Sequence, residues 1–172
     1  MSEFYAELQL PLPEVRRVEP AGMPDPYRRL LVHDRDMTPT LEAAHGRKIH
    51  VRVLKYMVDD DAINRLVVLV LDDDETAVEV GAIRIFLGRL PPAARQLVLQ
   101  HREPFGTILR ENAVPHSSRP AGYFQVTADS LLAGALRLNE SGALYGRRNT
   151  IWSSDGETLA EVVEILPLLP DP

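Results

Sequence analysis

The sequence predicts an α+β domain: a single antiparallel sheet flanked by helices. Three observations lead there. Stretches with strand-like apolar patterning dominate the middle and end of the chain, and helical patterns sit in separate blocks. Consecutive strand candidates are joined by short polar turns, as antiparallel hairpins require. The chain has 172 residues, 45 % of them hydrophobic and 26 % charged, which suits one globular domain with its own core. We read residues 1–172 as a single domain, with 1–24 as a partly extended N-terminal arm marked by scattered prolines and "PAGMP".

In "DPYRRLLVHDRDMTPTLEAAHG", Asp25 is placed to cap a short helix through Leu30 and Leu31. Asp36 or Thr38 is placed to cap a second helix that stops at Gly46. Pro39 sits near the start of that second helix, where proline is tolerated. "RKIHVRVLKYMV" alternates, with Ile49, Val51 and Val53 on one face and His50, Arg52 and Leu54 on the other. "NRLVVLVL" is an apolar strand, "DDDET" a polar turn and "AVEVGAIRIFLG" the returning strand. "PPAARQLVLQH" predicts a helix entered at Pro91 and Pro92, with Leu97 and Val98 on its buried side. "EPFGTILREN" is a loop and short helix, "GYFQVTAD" a strand, and "SLLAGALRL" either strand or helix. "ALYGRRNTIW", the turn "SSDGE" and "TLAEVVEILP" form a final hairpin.

The composition removes several function classes. Net charge is −6, from 19 Lys+Arg against 25 Asp+Glu, so a broad nucleic-acid-binding surface is not expected. No apolar stretch is long enough to span a bilayer, and the first residues show no signal-peptide pattern, so a cytoplasmic protein is expected. With no cysteine there are no disulfides, thiolate metal sites or cysteine nucleophiles. The five histidines form neither HxH nor HExxH, so no metal site is expected. GxSxG, EF-hand, P-loop and GxGxxG patterns are absent.

What remains is a set of arginines on apolar strands: Arg65, Arg84, Arg147 and Arg148. An arginine bordering a core needs a partner, because an unpaired buried charge is very costly. Either a protein carboxylate or a ligand carboxylate held bidentately meets that need. For any one of them taken alone, a structural ion pair or an exposed strand end is the commoner outcome. Glu161 and Glu164 pose the matching problem in "LAEVVEILP". On a strand their odd spacing sends them to opposite faces, one outward and one toward the core or a pocket. On a helix both would share a solvated face. We favour the strand. By the same rule, only one of Arg147 and Arg148 looks into a given pocket.

Taken in order, "LLVHDRDMT", "RLVVLVLDDDE", "PFGTIL", "LYGRRNTI" and "VVEILP" resemble the chorismate pyruvate-lyase (4-hydroxybenzoate synthase) family over about residues 25–167. The resemblance implies a chorismate-lyase-like sheet with a ligand buried beneath helical flaps. It implies conversion of chorismate to 4-hydroxybenzoate and pyruvate with no metal or organic cofactor, and a place in ubiquinone or aromatic secondary-metabolite biosynthesis. The implied partner is a small-molecule substrate. Two carboxylates on chorismate suit cationic arginines, and the protein has mainly to orient the substrate and stabilise developing charge.

Residue by residue, the resemblance implies that Arg65 holds the ring carboxylate. Met37, Phe105 and Gly106 lie at the pocket, and Arg148 is a supporting charge. A last-strand glutamate stands at the hydroxyl or ether end. The family pattern has three residues between that glutamate and a proline. Here Glu164 has two before Pro167 and Glu161 has five, so both stay candidates and Glu164 reads closest. Phe105 replaces a family leucine.

A similar fold serves as the effector-binding domain of bacterial transcription regulators. A non-catalytic aromatic-acid-binding module is therefore the alternative expectation, and a lyase acting on a related enol-ether acid is a third. The chain shows no helix-turn-helix pattern, so a regulator built on it is expected to need a separate partner.

Overall fold

The computed structural model describes residues 1–139 and 142–169. Seven strands form one sheet: β1 (Val15–Val18), β2 (Ile49–Val58), β3 (Ala62–Leu71), β4 (Ala77–Phe86), β5 (His116–Thr127), β6 (Ala143–Ser153) and β7 (Thr158–Ile165). Their spatial order is β1-β5-β6-β7-β4-β3-β2, and every neighbouring pair is antiparallel. The helices are α1 (Ser2–Glu7), α2 (Tyr27–Leu31), α3 (Met37–His45), α4 (Pro92–Gln100), α5 (Phe105–Glu111) and α6 (Ser130–Leu136). This is the α+β, chorismate-lyase-like architecture expected from the sequence.

Several local signals act as the sequence suggests, but Pro26 rather than Asp25 takes the N-cap of α2, and Asp25 pairs with Arg28 instead. Asp36 occupies the N-cap of α3, and Gly46 closes it with φ 65, a left-handed turn that glycine adopts at little cost. Pro91 and Pro92 open α4. The ambiguous "SLLAGAL" is helical because Asp129 caps it, accepting from the backbone N–H of Leu132. β2 and β3 pair as a hairpin, with an irregularity at Leu54 that shifts the register between Val53 and Lys55.

Residues 1–24 differ from the extended arm expected. Ser2–Glu7 is helical, and Phe4 and Tyr5 are buried. Val15–Val18 pairs with β5 as the sheet's edge. Two buried aromatics one residue apart supply the reason: their burial ties the segment down despite the prolines that follow.

Both faces of the sheet are covered. All ten residues of β3 are buried, which accounts for the unbroken apolar run in its sequence. On one face, α1 and α6 pack over Leu66, Val68, Val80, Ala82, Phe124 and Ile165. The other face carries two clusters. One joins α4 and α5 to Ile63, Ile83, Ile85 and Val162. The second joins α2 and α3 to Val51, Val67, Leu69 and Leu71. A small cavity lies where these two clusters meet.

Gly146, in "LYGRR", lets the sheet close tightly. A Cβ there would sit 2.5 Å from the Glu164 carbonyl oxygen and 2.6 Å from Phe124 Cζ. Gly146→Ala is expected to lower stability by about 1–3 kcal/mol through overpacking. Urea denaturation reads this directly, and an unchanged midpoint would refute it.

Candidate functional site

A small cavity opens between α3, α5 and the sheet. Its volume is about 60 Å³, on the order of two water molecules. The lining comes from both apolar clusters, with Met37, Val67 and Leu69 from one and Ile83, Phe105 and Val162 from the other. Gly106 and the polar residues Asp36, Thr38, Glu79, Asn149 and Glu164 complete it.

Strand alternation decides which side chains arrive there. Arg65 lies opposite Ile83, Leu69 opposite Glu79, Gly81 opposite Glu164, and Glu164 opposite Arg147. Side chains at these positions share one face of the sheet. Arg148, one residue on, points to the other face and is exposed, as is Glu161. Of the residues singled out from the sequence, Glu164, Met37, Phe105 and Gly106 therefore come together at the cavity. Arg65 lies on the same face just beyond Val67 and Ile83. Glu161 and Arg148 do not reach it. They flank a separate depression on the opposite face with Arg84 and Glu3. The inward arginine of the pair is Arg147.

Arg147 is fully buried and paired with Glu164 through its Nε. Its remaining donors reach the segment that covers the cavity. Nη1 donates to the carbonyls of Leu31 (3.1 Å) and His33 (2.9 Å), and Nη2 to that of Arg35 (3.1 Å). The planar fork thus clamps residues 31–35 to β6. His33 Nε2–H donates to the Leu30 carbonyl, leaving Nδ1 to accept from the Arg35 N–H and face Arg147. Burial, then the Arg147 charge, holds His33 below its usual range, as this neutral tautomer requires.

Asp36 and His116 form a second pair at the cavity rim, Oδ2 to Nε2 at 2.9 Å, while His116 Nδ1–H donates to the Val114 carbonyl. Two acceptors on one imidazole favour the cation, and the Asp36 hydrogen bond raises its pKa accordingly.

Among the described residues, Glu79 has no such partner. It is buried, its Oε2 makes no hydrogen bond, and burial followed by the nearby Glu164 charge pushes its pKa well above the carboxylate range. Burial also raises Glu164, against the opposing pull of Arg147. Arg65 is the cationic counterpart. It is 1 % exposed, its Nε and Nη1 have no hydrogen-bond partner among the described residues, and desolvation pushes it down to about 10. His101 lies near enough to feel its charge and stacks on Tyr56 at 4.1 Å. Arg84, by contrast, pairs at the surface with Asp59 and Glu3.

The sequence reading passed over Glu79, Asn149 and the Asp36–His116 pair. Glu79 left a signal, as the sole acid in the apolar "AVEVGAIRIF", in register with Gly81 and Ile83. The pair joins residues 80 positions apart and left none.

No protein-family model matches the chain, and no curated protein matches it. Solved structures do. The effector domain of PhnF from Mycobacterium smegmatis aligns with TM-score 0.57 and 11 % identity, covering 76 % of this chain and 87 % of that one. Longer PhnF from the same organism aligns with TM-score 0.59 and 11 % identity, over 77 % of this chain and 63 % of PhnF. The possible transcriptional regulator YydK from Bacillus subtilis aligns with TM-score 0.54 and 8 % identity, over 72 % of this chain and 64 % of YydK. The chain thus spans under two thirds of these two longer proteins. At such identities the likeness is one of fold.

Proposed function

We propose that this chain is a small-molecule-binding module, non-catalytic and effector-binding-domain-like, that holds a ligand's anionic group at Arg65. One observation carries this reading. Glu164, the acid a lyase would need at the ring, is committed to a buried ion pair with Arg147, and that arginine braces the cavity's own cover. A carboxyl used this way serves structure rather than proton transfer. The fold shared with the PhnF effector domain supports the same reading.

Arg65 is the natural anion site because its buried donors lack protein acceptors, and an anion would satisfy both charge and hydrogen bonds. Met37, Phe105 and Gly106 supply apolar walls and close backbone approach. At about 60 Å³ the cavity is far below the roughly 300 Å³ of a typical ligand pocket, so α3 and α5 have to give way as a ring-sized ligand enters.

The lyase reading keeps one specific support. Arg65 and the Met37, Phe105, Gly106 and Glu164 group occupy one face, as the family resemblance implies.

The two readings part in one experiment: incubation with chorismate at high protein concentration, with pyruvate measured and benzoate binding followed by calorimetry. Binding without pyruvate release is expected, with affinity for benzoate falling about tenfold or more in Arg65→Met. Steady pyruvate production would overturn the module reading in favour of the lyase. Unchanged benzoate affinity in Arg65→Met would remove Arg65 as the anion site.

A further inference from the structure

We propose that the Glu79 end of the cavity is a subsite for a primary ammonium group, so that the ligand is an amino compound with an anionic group at its far end. This rests on the binding-module reading above and adds to it the chemistry of the second contact.

The pairing of charges points there first. Three carboxyls line the cavity, and among the described residues two have cationic partners: Glu164 has Arg147, and Asp36 has His116. Glu79 has none and is the deepest of the three, 4 % exposed. No cation pairs with it among the described residues, which is the arrangement expected where a ligand supplies the charge.

Hydrogen bonding points the same way. Three buried oxygens on lining residues have no donor: Glu79 Oε2, Asp36 Oδ1 and Asn149 Oδ1. Asn149 is itself only 3 % exposed, and its amide nitrogen is committed to Ser118 Oγ at 2.7 Å. A primary ammonium has three donors and no acceptor, so it suits Glu79 Oε2, whereas Asn149 lies opposite Val162 at the level of Ile83, toward the Arg65 end. A carboxylate, or the second acid group of a dianion such as chorismate, would add acceptors to acceptors beside Glu79, Asp36 and Glu164.

The space fits too. Gly81 separates Glu79 from Ile83 along β4. A Cβ at Gly81 would lie 3.1 Å from Glu79 Oε1 and 3.3 Å from Val67 Cγ2, so a side chain would narrow the space above the carboxyl. The cavity's 60 Å³ takes an aminomethyl-sized group, not a ring. Arg65 lies opposite Ile83, four residues from the level of Glu79, or about 13 Å at the strand rise of about 3.3 Å per residue. Long side chains at both ends shorten that span toward the length of a small bifunctional molecule.

Calorimetry of the full chain at neutral pH tests this with four probes: 4-(aminomethyl)benzoate, benzoate, benzylamine and 4-hydroxybenzoate. We expect 4-(aminomethyl)benzoate to bind at least tenfold more tightly than benzoate or 4-hydroxybenzoate. Glu79→Gln, which keeps the shape but cannot give up a proton to pair with the ammonium, should bring that ratio to within about twofold. Gly81→Ala should weaken the amino compound more than benzoate, which gives a second variant should Glu79→Gln fold poorly. The inference is overturned if 4-hydroxybenzoate binds as tightly as the amino compound, or if the preference survives Glu79→Gln. In either case the aromatic acids still bind and the module reading stands. If none of the four binds at millimolar concentration, the module reading fails, and this inference with it.

Discussion

Replacing Arg147 with alanine is expected to destabilise the protein by about 3–5 kcal/mol, the range for breaking a buried ion pair on one side only. The substitution strands Glu164 in a dry environment and leaves the carbonyls of Leu31, His33 and Arg35 without their shared donor. Arg147→Lys should recover little of this loss, because one ammonium cannot reproduce a fork that bonds a carboxylate on one side and three carbonyls on the other. The neighbouring Arg148→Ala should cost well under 1 kcal/mol, since that side chain is exposed. Urea unfolding of the three variants gives the comparison. If Arg147→Ala and Arg148→Ala come out alike, the structural role assigned to Arg147 is wrong. Loosening of residues 31–35 should also expose the cavity cover, seen as faster amide exchange there than in the strands.

Glu79→Gln is expected to stabilise the protein, and increasingly so as pH rises. The sign follows from linkage. The folded-state pKa of Glu79 is raised above its ordinary 4.5, first by burial and then by Glu164, with Arg147 opposing. The folded protein therefore holds a proton that the unfolded chain has released. The stability tied to that proton is complete below about pH 4.5 and drains away as pH climbs through the raised folded value, at up to about 1.4 kcal/mol per pH unit. Glutamine has no proton to lose. The charged groups that act on Glu79, Glu164 and Arg147, are shared by both proteins, so the difference between the two stability curves isolates residue 79. That difference should widen as pH rises above about 4.5 toward the raised folded value. A flat difference would mean that Glu79 titrates normally and is not a buried, unpaired acid.

These two residues also mark how far the chain could be read without its structure. Alternation in "RKIHVRV", the apolar run of β3, the acidic turn after it and the odd spacing of Glu161 and Glu164 were all legible, because strand geometry is local. Period two sends Glu161 and Glu164 to opposite faces, and the fold makes Glu164 the inward one. The same parity separates Arg147 from Arg148, but it cannot say which of the two is inside. That depends on register with β7, where Arg147 lies opposite Glu164. The sequence reading assigned Arg148 as the supporting charge, and the structure brings Arg147 inward instead.

The sequence by itself determined the fold class, most of the elements and the strand alternation that separates Glu161 from Glu164 and Arg147 from Arg148. Only the tertiary structure decided how the charges are shared out. It gave Glu164 to Arg147 and Asp36 to His116, and it left Arg65 and Glu79 unpaired. The reason is physical. Propensity and periodicity act over a few neighbouring residues, whereas an ion pair forms between groups that the fold brings together from 17 and 80 positions apart. Whether a buried charge is structural or waits for a ligand depends on that pairing.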